Sequence, residues 1–335
     1  AIALKKGMYI IMEKKYIVGI DLGGTKISGA VSDKDGKVLY MKTIDTLASE
    51  GSDNVIGRIT WLINHVLSEL NISNEDVFGV GIASPGPLNS DEGMIIETPN
   101  LPFKNFPLKK AVESAVGIKT FIDNDANAAA LGEFLFGAGK EVENLIYITV
   151  STGVGGGIII NKKLYRGKSG NAGEIGHMTV EPNGPRCNCG NYGCLEAMSS
   201  GTAIARIARE RLNHAENLKN EKSLLSAFEN ITPKEVFECA LKGDKLALEV
   251  VDYTTNYLGI GIASLINIFD PEMIIIGGGV SKVGDILFDR LKKVALERSF
   301  EVMSNTVKIV PASLGTDAGL IGALAIISSK IGTEL

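Results

Sequence analysis

Cysteine and histidine are scarce in this chain, with four and three copies in 335 residues. Such a chain does not fit the class of small secreted domains stapled by disulfides. No secretory leader is expected either. The opening AIALKKGMYIIMEKK has a short apolar part, Met8 to Met12, and no small-residue cleavage site follows it before the first strand. It reads as an extension, with Met12 as a natural initiator. Excess positive charge is also missing. A formal net charge of −5 leaves no basic footprint for nucleic acid and no polybasic patch for a membrane surface. No apolar run approaches the roughly 20 residues of a membrane helix. These absences imply a cytoplasmic protein with neither nucleic acid nor membrane as partner.

The scarce residues are concentrated in one stretch. GEIGHMTVEPNGPRCNCGNYGCLE, from Gly173 to Glu196, holds Cys187, Cys189, Cys194 and His177. Three thiols and an imidazole are the ligand set of a closed tetrahedral Zn²⁺ site. Gly190 and Gly193 let the backbone turn between ligands so close in sequence. The competing reading is one disulfide with a spare thiol, or three unrelated cysteines. A zinc clamp here also pins Glu174, three residues before His177, and Glu196, two residues after Cys194. Two fixed carboxylates beside a ring N–H suit a ligand rich in hydroxyls. The metal is then a structural brace with no chemistry of its own.

A chain of this length suggests two domains, and 45% hydrophobic with 22% charged residues is ordinary for a globular protein. Tyr16 to Ile20 is a strand-like run that ends in Asp21-Leu22-Gly23-Gly24-Thr25-Lys26. Further strands are expected at Ile27–Val31 and Val38–Met41. Gly23 and Gly24 let backbone N–H groups approach a phosphate, Thr25 adds a hydroxyl, and Asp21 is placed to hold a metal ion. A plain hairpin turn is the alternative. The pattern recurs about 130 residues later. Leu145–Val150 leads into Ser151-Thr152 and the glycines through Gly157, then Ile158–Ile160. Such a repeat implies two like domains, each offering a phosphate loop. A Rossmann unit fits worse, because here the glycines lead to a strand where that fingerprint needs a helix.

Between and after these meanders, helices are expected at Asn54–Leu70, from Pro107 to near Gly117, and at Ser199–Leu212. Thr232-Pro233-Lys234-Glu235 reads as a capped start, and Leu246–Phe269 as a further helix stopped by Asp270-Pro271. Residues 213–231 read as loop or short helix, and Cys239 as a core thiol. The strand Lys119–Ile122 hands over to Asp123-Asn124-Asp125 and an Ala-rich helix, with more polar groups than capping needs. Met273–Ile276 followed by Gly277-Gly278-Gly279 forms a ledge open to a nucleotide base or ribose. Asp285–Glu297 reads as the next helix, and Asp317 opens a closing one.

E-x-G-H at 174–177 and C-x-C-G-x-x-G-C-L-E at 187–196 resemble the ROK family of sugar kinases and repressors. The resemblance runs from about residue 16 to the C-terminus. It implies an α/β, two-domain actin-like ATPase / sugar kinase fold with an ATP and sugar cleft between the domains. The smaller domain is expected at 16–122 plus 313–335, the larger at 123–312, with 1–15 an extension. The implied activity is transfer of phosphate from ATP to a hexose, glucose first, with N-acetylmannosamine, fructose or mannose as alternatives. The implied catalytic residue is Asp125. The sugar is expected at Asn100, Asn124, Glu174, His177 and Glu196. ATP is expected at Asp21, Gly23, Gly24, Thr25, Lys26, Thr152, Gly153, Gly277, Gly278 and Gly279, with Mg²⁺ on its phosphates. Structural Zn²⁺ is expected on His177, Cys187, Cys189 and Cys194, and a homodimer or homotetramer is expected. The repressor arm of the family carries an N-terminal winged helix-turn-helix, and with some fifteen residues before the first strand none is expected here. An actin- or Hsp70-like ATPase would leave the cysteine stretch and its glutamates unexplained.

Overall fold

A computed structural model describes residues 14–98, 100–217 and 222–331. Most of the expected N-terminal extension, and Pro99, lie outside them. The described chain forms two compact units. One contains the residues up to Asp125 and from Leu320 onward, the other Ala126–Gly319.

The first unit opens with β1 (Tyr16–Leu22), β2 (Lys26–Asp33) and β3 (Val38–Asp45), followed by helix α1 (Ser52–Ser68) and β4 (Val77–Ser84). Short strands β5 (Leu88–Asn89), β6 (Met94–Glu97) and β7 (Lys104–Phe106) make a small separate sheet ahead of α2 (Leu108–Val116) and β8 (Thr120–Asn124). The main sheet has the order β3-β2-β1-β4-β8. Its first three strands form an antiparallel meander, and β1, β4 and β8 are parallel. Val55, Ile59, Leu62 and Val66 of α1 recur at helical spacing and are fully buried in the core of this unit.

Helix α3 (Asp125–Phe136) leads into the second unit. There β9 (Leu145–Val150), β10 (Val154–Ile160) and β11 (Lys163–Leu164) form another meander, followed by α4 (Leu195–Ser199), α5 (Gly201–Asn217), α6 (Pro233–Leu241) and α7 (Lys245–Phe269). The unit ends with β12 (Met273–Gly277), α8 (Asp285–Glu297), α9 (Glu301–Ser304) and β13 (Lys308–Pro311). Its sheet has the order β11-β10-β9-β12-β13, again a meander joined to a parallel set. The repeat visible in the sequence is therefore a repeat of topology. A last helix, α10 (Ala318–Ser328), lies against the first sheet. A Cβ on Gly81 of β4 would stand 2.0 Å from the Ala323 carbonyl oxygen, so only glycine admits the helix backbone there.

Local signals account for several boundaries. Thr232 and Glu235 form a capping box at the start of α6, Asp244 accepts the Ala247 N–H at 2.8 Å as N-cap of α7, and Asp270 ends α7 in the left-handed region. Cys239 is buried on α6, where burial pushes its thiol pKa up. Two expectations need correction. Gly155–Gly157 are not part of a turn but belong to β10. Added Cβ atoms on Gly156 and Gly157 would lie 2.5 Å from Ile175 and 2.6 Å from Ala130, so these glycines thin the strand for close neighbours. The single helix expected at Ser199–Leu212 is two, α4 and α5, because Ser200 turns extended and its hydroxyl caps the Ala203 N–H. Among the described residues no helix is long and apolar enough to cross a membrane.

Candidate active site

On the first unit the candidate residues gather at the C-terminal ends of β1, β4 and β8. Asp21 is level with Ala83, and Ala83 with Asp123. Such strand ends are where open α/β sheets receive ligands. Past β1 the chain turns at Gly23 and Gly24, closed by the Gly23 N–H donating to the Lys26 carbonyl at 3.0 Å. Thr46, fully buried, donates its hydroxyl to the Gly23 carbonyl at 2.6 Å and its N–H to the Thr25 carbonyl at 2.8 Å. The sequence reading missed this clamp, since a threonine just past a strand carries no signal of its own. Thr25 and Lys26 are exposed. A Cβ on Gly24 would fall 2.7 Å from Asn100, so the turn and the Asn100 loop are in direct contact. Burial pushes the Asp21 carboxyl above its ordinary pKa, a penalty on the anion that a nearby cation would relieve. One carboxylate of this kind suits Mg²⁺, which takes its other ligands from phosphates and water.

Beyond β8 the three polar residues diverge. Asp123 is buried and accepts the Asn124 N–H at 2.9 Å. The Asn124 amide nitrogen lies 3.2 Å from where a Cβ on Gly86 would sit, which places it beside the Ser84–Pro87 loop. Asp125 is exposed at the first position of α3.

The second unit carries the cysteine stretch. Ligand atoms of His177, Cys187, Cys189 and Cys194 all lie within 4.8 Å of one another. Cys187 Sγ is 3.7 Å from His177 Nδ1, and Cys189 Sγ is 3.7 Å from Cys194 Sγ. A tetrahedral zinc ion with Zn–S bonds of about 2.3 Å has ligand–ligand edges of roughly 3.8 Å, so donor type and spacing both fit. Burial raises the pKa of the Cys187 thiol and pushes that of Cys194 up to about 12, while the Asn191 backbone N–H lowers that of exposed Cys189. A bound cation would favour the thiolates. The other ring nitrogen, His177 Nε2, lies 3.9 Å from a Glu174 carboxylate oxygen. A carboxylate closing to hydrogen-bond distance there would orient a metal-bound imidazole. Glu196 faces the cluster with Oε1, 3.8 Å from Cys187 Sγ, and accepts the Val154 N–H on Oε2 at 3.0 Å.

Thr152 and Gly153 form the tight turn between β9 and β10. A cavity of about 850 Å³ opens beside Thr152 and Gly279, within the size range of small-molecule sites. Its apolar walls include Ala205 of α5, Pro233 and Phe237 of α6, and Val280 and Val283 after β12. None of these wall residues was read as part of a site from the sequence: Ala205, Pro233 and Phe237 come from helices distant along the chain, and Val280 and Val283 carry no ligand signal of their own. The three glycines of 277–279 also differ in role. Cβ atoms on Gly277 and Gly278 would run into Tyr147 Oη at 2.4 Å and the Val150 carbonyl oxygen at 2.3 Å, whereas nothing lies within 4 Å of one on Gly279. Two glycines serve packing against β9, and the third borders the cavity.

Two meander-and-parallel sheets of one topology, each with a turn between its first two antiparallel strands, define the actin-like ATPase fold in its sugar kinase form. The chain belongs to the ROK family, which it matches over residues 17–330. It is 40% identical to the glucokinase of Thermotoga maritima over 96% of this chain and all of that enzyme. The crystal structure of a ROK family glucokinase from Streptomyces griseus with glucose and AMPPNP superposes with a TM-score of 0.76 at 35% identity, covering 93% of this chain and 98% of that one. The xylose repressor of Caldicellulosiruptor bescii is 33% identical over 94% of this chain and 78% of its own length.

Proposed function

We propose that this chain is an ATP-dependent hexose kinase that converts glucose to glucose 6-phosphate. The observation that carries this reading is the 40% identity to the Thermotoga maritima glucokinase along its whole length. The apolar cavity beside Thr152 and Gly279 supports it as a seat for adenosine. On this reading Gly23, Gly24, Thr25, Lys26, Thr152 and Gly153 receive the phosphates. Asn100, Asn124, Glu174, His177 and Glu196 orient the sugar, and Asp125 accepts the proton of the attacking hydroxyl. The exposure of Asp125 supports that role over Asp123, whose carboxylate is buried. Mg²⁺ arriving with ATP neutralises phosphate charge, with Asp21 as its protein-side partner. Zn²⁺ on His177, Cys187, Cys189 and Cys194 braces the loop that carries Glu174 and Glu196. Positioning and charge neutralisation supply most of the acceleration in phosphoryl transfer.

Coupled ADP release with a panel of glucose, mannose, fructose and N-acetylmannosamine tests the assignment. The highest kcat/KM is expected for glucose. No ADP release with any sugar would end the kinase reading and favour a sugar-sensing role like that of the repressor relatives. A tenfold preference for N-acetylmannosamine would keep the kinase and change its substrate.

A further inference from the structure

The Ser151–Gly153 turn closes on itself through one bond, the Ser151 N–H to the Gly153 carbonyl at 2.9 Å. Around it stands the segment that follows Cys194. Gly201 donates its N–H to the Ser151 carbonyl at 2.7 Å, Thr202 donates its hydroxyl to the Thr152 carbonyl at 2.8 Å, and Glu196 Oε2 accepts the Val154 N–H at 3.0 Å. Glu196 reaches both ways. Its Oε2 would lie 2.4 Å from a Cβ on Gly153, so it sits against the turn, while its Oε1 is 3.8 Å from Cys187 Sγ in the cysteine cluster. Cys194 itself is the N-cap residue of α4, the helix that presents Glu196 in its first turn.

We infer that Glu196 is a positioning residue for the nucleotide: presented by the helix that starts at Cys194, it packs against Gly153 and pins the N–H that follows the phosphate turn. This rests on the kinase reading, in which the turn receives phosphate, and it goes beyond the sugar-orienting role assigned to Glu196. Pairing of a backbone N–H with a carboxylate is among the stronger hydrogen bonds, and its loss should weaken nucleotide binding by roughly ten- to a hundredfold.

The test is calorimetric binding of Mg–AMPPNP to the full-length, zinc-loaded protein without sugar, with zinc content measured on every variant. Glu196→Ala should weaken binding at least tenfold. Glu196→Gln should restore most of it, because the amide oxygen still accepts the Val154 N–H. Glu196→Ser, too short to reach that N–H, repeats the measurement should the alanine variant lose zinc. Gly153→Ala should weaken binding in the wild-type background and have little further effect with Glu196→Ala, where the side chain it strikes is gone. Wild-type affinity in Glu196→Ala, or a loss in Glu196→Gln as deep as in Glu196→Ala, would overturn the inference while leaving the kinase reading intact. Wild-type protein that binds no Mg–AMPPNP would overturn the kinase reading, and this inference with it.

Discussion

Replacing Gly176 with alanine should dismantle the metal loop from behind. Gly176 lies in a short turn, Ile175–His177, packed on β10, and a Cβ there would stand 2.0 Å from the Val154 carbonyl oxygen. Ordinary contact begins at 3.4 Å, so the two backbones must separate by about 1.4 Å. Overpacking of this kind costs about 1–3 kcal/mol, and with backbone on both sides the upper end applies. At 2–4 °C per kcal/mol for a unit of this size, Tm should fall by roughly 6–12 °C. Metal sites tolerate displacements of only about 0.2 Å, so the same shift carries His177 Nδ1 out of bonding range. The assay pairs thermal unfolding with zinc analysis of protein purified without chelator. Wild type should hold one zinc per chain and Gly176→Ala much less. The control is Gly57→Ala on α1, where nothing lies within 4 Å of the new Cβ and helix propensity alone should stabilise by about 0.5–1 kcal/mol. A Gly176→Ala protein with full zinc and wild-type Tm would refute the reasoning, and wild-type protein without zinc would refute the metal assignment.

Two further outcomes follow from the carboxylates. Burial raises the pKa of Asp21 above the roughly 3.9 of an unfolded chain, so its favourable contribution is complete below that value and is lost as pH rises through the folded one. Asp21→Asn should therefore raise Tm in Mg²⁺-free buffer at neutral pH, with the gain shrinking toward pH 4, while kinase activity falls; a Tm difference independent of pH would contradict this. Glu174→Gln should raise KM for glucose more than it lowers kcat if the carboxylate binds the ground state, and an unchanged KM with depressed kcat would contradict that role.

Much of the fold was legible because its signals are local. Leu145–Val150 and Asp285–Glu297 occupy the boundaries read from the sequence, since apolar runs and turn residues mark their ends. The four residues of the cysteine cluster were legible for the same reason, being close in sequence and rich in ligand type. What escaped was tertiary. The glycines of 155–157 look the same in sequence whether they make a turn or thin a strand, and only Ile175 and Ala130 decide between the two. Gly277–Gly279 looked like one ledge, yet Tyr147 and Val150 claim the first two. The cavity walls from α5 and α6 and the Thr46 clamp depend on elements whose own sequences show no sign of a ligand.

The central claim, a glucose kinase with Asp125 as its base, is tested most directly by glucose 6-phosphate formation in wild type and Asp125→Asn. The wild-type protein should form the product from glucose and Mg–ATP. Base assistance is typically worth about 10²–10⁴-fold, so the variant should lose at least roughly two orders of magnitude in kcat. Its folding and zinc content should stay intact, because asparagine also suits a helix N-terminus and position 125 is exposed. Near-wild-type turnover in a well-folded Asp125→Asn protein would contradict the catalytic assignment, and no glucose 6-phosphate from wild type would contradict the claim as a whole.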